Sequence, residues 1–121
     1  MPGWWKSGIE PIGALEAKDM LDRGEAVIVD VREPAELQAT GKVPGALNIA
    51  RGAIEAQAQS AAPDFAPMLP KDKAIILYCG SGKRSDAAGR ILRDLGYEKV
   101  LNLGGLKDWA EAGLPVDPGG S

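Results

Sequence analysis

The reactive chemistry of this chain is concentrated in one thiol and the six residues after it: Cys79, Gly80, Ser81, Gly82, Lys83, Arg84 and Ser85, written CGSGKRS. A cysteine becomes a nucleophile when its thiolate is stabilised, and every neighbour here favours negative charge. Gly80 and Gly82 permit positive φ, so the backbone can curl until several N–H groups face one centre and hold an anion. Lys83 and Arg84 add full positive charges, and Ser85 can cap the following helix or donate a hydroxyl hydrogen bond. In such surroundings a thiol with a free pKa of about 8.5 falls to roughly 3.5 to 7.5. The chain has no histidine, so activation must come from this field, and the cysteine-protease pairing is excluded. A lone cysteine at a strand end would by itself read as a buried packing residue. The adjacent GSGKRS reverses that preference.

Such a loop needs a strand that ends at Cys79 and a helix that starts soon after it. AIILY supplies the strand, and SDAAGRILRDLG places Ala87, Ala88, Ile91, Leu92 and Leu95 on one side of a helix that Gly96 can end. Asp86 near its start and Arg93 near its end suit the helix dipole. Upstream, KSGIEPIGALEAKDMLDRG reads as an entry segment and a short helix using Ala14, Ala17, Met20 and Leu21, stopped by Gly24. AVIVDV lacks polar alternation, as expected of a parallel strand covered on both faces. REPAELQATG reads as a brief helix with Pro34 in its first turn and Gly41 at its end. ALNI and KVLNL are further strands, GG a turn and LKDWAEAG a last short helix. RGAIEAQAQSAA has helical propensity, whereas PDFAPMLPKDK, with three prolines, must be mostly irregular. Strands alternating with helices define an α/β domain with a central, mostly parallel sheet and helices on both faces.

Composition narrows the function classes. A chain of 121 residues, 45% of them hydrophobic, is the size of one domain with its own core. A single cysteine excludes an intrachain disulfide, and without histidine the usual zinc clusters cannot form. No cofactor or metal is expected. Fourteen basic against seventeen acidic residues give a net charge of −3, which argues against broad binding to nucleic acid. No run approaches the roughly 18 apolar residues of a membrane span, and MPGWWKSG lacks the features of a secretory signal, so the expectation is a cytoplasmic protein with no membrane partner.

CGSGKRS resembles the active-site loop of single-domain rhodanese-like sulfurtransferases, in which a cysteine and a glycine-containing loop precede Arg-Ser or Arg-Thr at a helix. IVDVREPAEL resembles that family's early strand and turn, GKVPGALNIARGAIE its next segment, and LGGLKDWAEAGLPV its closing signature. Four motifs in the right order, over roughly residues 9 to 116, outweigh any one of them. Lys42 departs from the family, which often has histidine before the Pro-Gly-Ala turn. The resemblance implies a rhodanese-like three-layer domain and a two-step reaction: the Cys79 thiolate takes the outer sulfur of a small anionic donor such as thiosulfate, and the persulfide passes it to a thiol or cyanide. A protein could serve as sulfur donor or acceptor. Lys83 and Arg84 would orient the donor oxygens, Arg84 by a two-pronged contact. Phosphatases and arsenate reductases of the resembling fold carry one more residue between cysteine and arginine; here four residues, Gly80 to Lys83, separate Cys79 from Arg84, which favours sulfur.

Asp30 and Arg32, with Glu33 beside them, read first as a pair that holds neighbouring loops and second as supporting residues of the site. Arg51 either extends the positive rim or lies in solvent. Asn48 reads as a loop-fixing hydrogen bonder, and Trp109 as packing the last helix onto the sheet. Trp4 and Trp5 read as packing on the domain edge, with a docking patch as the alternative. The expected organisation is an N-terminal extension (1–8), the domain (9–116) and a polar tail (117–121). The competing function is a low-turnover sulfur-carrier or regulatory module that docks a protein partner.

Overall fold

A computed structural model describes residues 9–55, 70 and 72–118. Trp4, Trp5 and the rest of the 1–8 extension, residues 56–69, residue 71, and residues 119–121 lie outside the described residues, together with the expectations placed on them. The elements are β1 (Glu10–Pro11), α1 (Ala14–Asp22), β2 (Ala26–Asp30), α2 (Pro34–Thr40), β3 (Leu47–Asn48), a 3₁₀ turn (Arg51–Ala53), β4 (Ala74–Cys79), α3 (Lys83–Asp94), β5 (Val100–Gly105) and α4 (Leu106–Glu111). The strands form one sheet in the order β1-β5-β4-β2-β3, with every pairing parallel. The α/β class is as the alternation predicts. No helix among the described residues is long and apolar enough to cross a membrane.

The apolar runs of β2 and β4 follow from coverage on both faces. Along β4, Ile75, Leu77 and Cys79 face one core with Ala88 and Leu92 of α3. Ala74, Ile76 and Tyr78 face the other, with Ala17 and Met20 of α1 and Trp109 of α4. The two-residue period of a strand therefore assigns Cys79 to the face that α3 covers. The connection after β2 leads outward to β3 and that after β4 to β5, in opposite directions, so the carboxyl ends of β2 and β4 flank a topological switch point.

Three local expectations change. The entry segment contains β1, whose Glu10 and Pro11 pair with Leu101 and Asn102; a two-residue edge strand tolerates proline because no inner ladder needs its missing N–H. Gly104 and Gly105 are not a turn but the end of β5, lying opposite Tyr78 and Cys79 after a register shift between Leu77 and Tyr78. Helix α3 begins at Lys83 and not at Ser85, because Gly82, at φ +92°, turns the chain into its first residue. Asp117, assigned to the polar tail by sequence, exchanges two backbone hydrogen bonds with Lys42, at 3.0 and 2.8 Å. The Lys42 ammonium donates to Ala46 O at 3.2 Å, a local bond at the position where histidine is common in the resembling family.

Candidate active site

At the carboxyl end of β4 the chain leaves the sheet at Cys79, crosses Gly80 and Ser81, and turns at Gly82 into α3. The turn brings the Gly82 N–H to 2.9 Å from Cys79 Sγ, so the helix entrance donates directly to sulfur. Gly105 closes the loop from below. A Cβ there would come within 2.5 Å of Gly80 O, so only a glycine lets β5 run this close to the loop.

Ser85 lies inside the first turn of α3 and does not cap it; Gly82 holds the cap position. Its Oγ is 3.5 Å from Cys79 Sγ, 3.1 Å from Gly82 O and 2.7 Å from Asn102 Oδ1. Asn102 is held in one orientation, since its amide nitrogen donates to Gly82 O at 3.1 Å and its Oδ1 accepts the Gly104 N–H at 2.9 Å. Its Oδ1 can only accept, so Ser85 is the donor across that contact, whereas between Ser85 Oγ and Cys79 Sγ either atom can donate. An ionised Cys79 can only accept from that hydroxyl. Burial pushes the Cys79 thiol up, but the Ser85 hydroxyl and the N–H groups of Ser85, Ser81 and Gly82 outweigh it, and the net direction is down.

Lys83 is exposed. Arg84 is already engaged: its two terminal nitrogens donate to the two carboxylate oxygens of Glu36, at 2.6 and 2.9 Å. The guanidinium lies over Gly80, with one terminal nitrogen 3.4 Å from where a Cβ of that residue would stand. Glu36 Oε1 also accepts the Glu33 N–H at 3.1 Å, which fastens the start of α2. The Arg84 bond holds the Glu36 carboxyl down to about 2, and Glu36 in turn raises the already high pKa of Arg84.

Asp30 and Arg32 form a buried pair beneath this rim. The Asp30 carboxylate accepts from Arg32 Nε at 2.9 Å, from its Nη2 at 2.6 Å and from its backbone N–H at 3.0 Å. Arg32 also donates to Thr40 Oγ1 and Gly41 O, each at 2.7 Å, tying β2 to the end of α2. Asn48 donates to Asp30 O and Arg32 O at 3.0 and 2.9 Å, fixing the same segment. Arg51 is exposed in the 3₁₀ turn, and its backbone N–H donates to Val31 O at 3.0 Å. Trp109 is buried between α4 and the sheet, with its indole N–H on Pro115 O at 2.7 Å.

Two open clefts flank the loop. One, of about 530 Å³, is lined by Ser81, Gly82, Lys83, Asn102 and Gly104 among others. The second, of about 470 Å³, is lined by Gly80, Arg32, Thr40, Leu106, Lys107 and Val116 among others. Cys79 itself is 0% exposed. The structure thus gathers Cys79 to Ser85 with three residues that sequence reasoning missed: Glu36, Asn102 and Gly105. Asn102 had a readable signal, as an amide inside the otherwise apolar VLNL. Glu36, 48 residues from Arg84, had none.

The rhodanese-like domain family matches residues 13–112. The chain is 39% identical over 98 residues to a protein named sulfurtransferase from Allochromatium vinosum, covering 80% of this chain and 83% of that one. It is 38% identical over 82 residues to thiosulfate sulfurtransferase PspE of Escherichia coli, covering 68% of this chain and 72% of that one. The solved structure of human single-domain sulfurtransferase TSTD1 superposes with a TM-score of 0.76 at 31% identity, covering 86% of this chain and 97% of that one.

Proposed function

This chain belongs to the rhodanese-like family, and from that premise we propose that it moves a sulfane sulfur from thiosulfate or a similar anionic donor to a thiol or cyanide through a persulfide on Cys79. The observation that carries this reading is the Cys79 sulfur itself, accepting the Gly82 N–H at 2.9 Å at the entrance of α3. A sulfur so placed is favoured as thiolate by fixed dipoles that need no rearrangement during reaction.

The thiolate attacks the outer sulfur of thiosulfate. The new S–S bond forms as the donor's own S–S bond breaks, and the electron pair leaves with sulfite. An acceptor thiolate or cyanide then attacks the outer sulfur of the persulfide, and Cys79 regains its electron pair as thiolate. Negative charge stays near the loop throughout, where Ser81, Gly82 and Ser85 offer N–H groups and Ser85 a hydroxyl. The thiol is fully buried, and the segment Gly80–Ser81–Gly82 that follows it lines both open clefts. Lys83, exposed beside this segment, attracts anions to it. Asp30 and Arg32 hold β2 and α2 in place.

Incubation with thiosulfate, free of reductant, should leave the intact protein heavier by one sulfur atom in mass spectrometry. The addition should disappear on later exposure to cyanide and should never form in Cys79→Ala. A wild-type protein of unchanged mass would sink the reading.

A further inference from the structure

We propose that Glu36 is a specificity-determining residue that occupies the anion-binding fork of Arg84 and so tunes the site toward thiol-borne persulfide donors and away from dianionic oxyanion donors. The inference rests on the persulfide reading of Cys79 and refines which donor loads it.

Arginine recognises a sulfonate-like group best through two parallel N–H bonds in one plane. In this structure both terminal nitrogens of Arg84 are on Glu36, at 2.6 and 2.9 Å. Glu36 also accepts the Glu33 N–H at 3.1 Å, so its carboxylate, in a pair whose side chains are each 38% exposed, is held by α2 as well as by Arg84. Thiosulfate must then either displace this carboxylate or settle its oxygens beside it. Both routes place like charges together at the mouth of the loop.

An alkyl persulfide avoids the conflict. Its reacting sulfur is carried on a single sulfur atom, with no oxygens that require the fork, and the donor bears at most one negative charge. The Cys79 thiolate bonds to the outer sulfur, the donor S–S bond breaks, and the electron pair departs on an alkyl thiolate, a monoanion where thiosulfate would release a dianion. The amides around Cys79 and the Ser85 hydroxyl are the donors that serve this transfer, and Glu36 leaves them free.

The test compares sulfur loading of wild type and Glu36→Gln, followed by mass spectrometry, with thiosulfate and with benzyl persulfide as the two donors. Glutamine keeps an oxygen for Arg84 and for the Glu33 N–H but removes the charge. Thiosulfate loading should quicken about fivefold in the variant, the size expected when a half-exposed charge is removed beside a dianion. The gain should appear as a lower KM, with kcat nearly unchanged and the difference shrinking as salt is added. Benzyl persulfide loading should stay within about twofold of wild type on the same reasoning. An unchanged ratio between the donors overturns the proposal, as does a proportional slowing with both, which would assign Glu36 to the fold alone. Failure of wild type to load from either donor would instead overturn the persulfide reading itself.

Discussion

Ser85 and Asn102 face each other beneath the loop, Oγ to Oδ1 at 2.7 Å, and the proton between them belongs to the serine. The asparagine cannot turn to donate instead, because Gly82 O and the Gly104 N–H fix its amide. The hydroxyl next to Cys79 is therefore held by Asn102.

Asn102→Asp should disturb this arrangement while keeping the size of the side chain. A carboxylate still accepts from Ser85 and Gly104, but it loses the bond to Gly82 O and adds a negative charge close to the thiolate. The Cys79 pKa should rise, lowering the thiolate fraction at neutral pH on the order of tenfold. Ultraviolet absorbance of the thiolate followed against pH, with alkylation rate as a second readout, would reveal it; an unmoved titration contradicts the role given to Asn102.

Gly105→Ala should damage both stability and chemistry. Its Cβ would stand 2.5 Å from Gly80 O, so either β5 or the loop must move, at a cost of about 1–3 kcal/mol. Denaturant unfolding reads the first effect and thiosulfate loading the second. A variant as stable and as readily loaded as wild type would show that the close approach is not needed.

The lowered Cys79 pKa fixes a pH dependence. Loading should rise with pH and level off below about 8.5, the value of a free thiol, because the thiolate is the nucleophile. The sign for stability follows from the same direction. A thiol depressed in the folded state stabilises that state above the unfolded pKa, and this contribution is lost as pH falls through the folded value. Loading that still climbs steeply above the free-thiol pKa would contradict the assignment.

Asp30→Asn should weaken the fold. It leaves the Arg32 guanidinium, 3% exposed, without its countercharge, and breaking a buried pair on one side costs about 3–5 kcal/mol. Urea unfolding of the variant should show a loss of that order, and a loss below about 1 kcal/mol, the scale of a surface pair, would place Asp30 outside the scaffold.

Much of this was legible along the chain. Unbroken apolar runs announced β2 and β4, Pro34 and Gly41 bounded α2, and Cys79 followed by GSGKRS announced a thiolate loop, because each signal is a property of neighbouring residues. The start of α3 was misplaced for a reason equally local: Gly82 can be read as loop or as cap, and only its φ of +92° decides.

By itself, the sequence settled the α/β class, the strand-end position of the single thiol and the absence of any imidazole to activate it. Tertiary structure alone decided that Arg84 is held by Glu36, that Asn102 governs the Ser85 proton, and that Gly105 admits the loop. These relationships join residues 48, 17 and 25 positions apart, brought together by the order in which β2, β4 and β5 lie in the sheet. Side-chain period and helix propensity act over a few residues, whereas charge pairing and steric fit act between whatever the packed sheet places side by side.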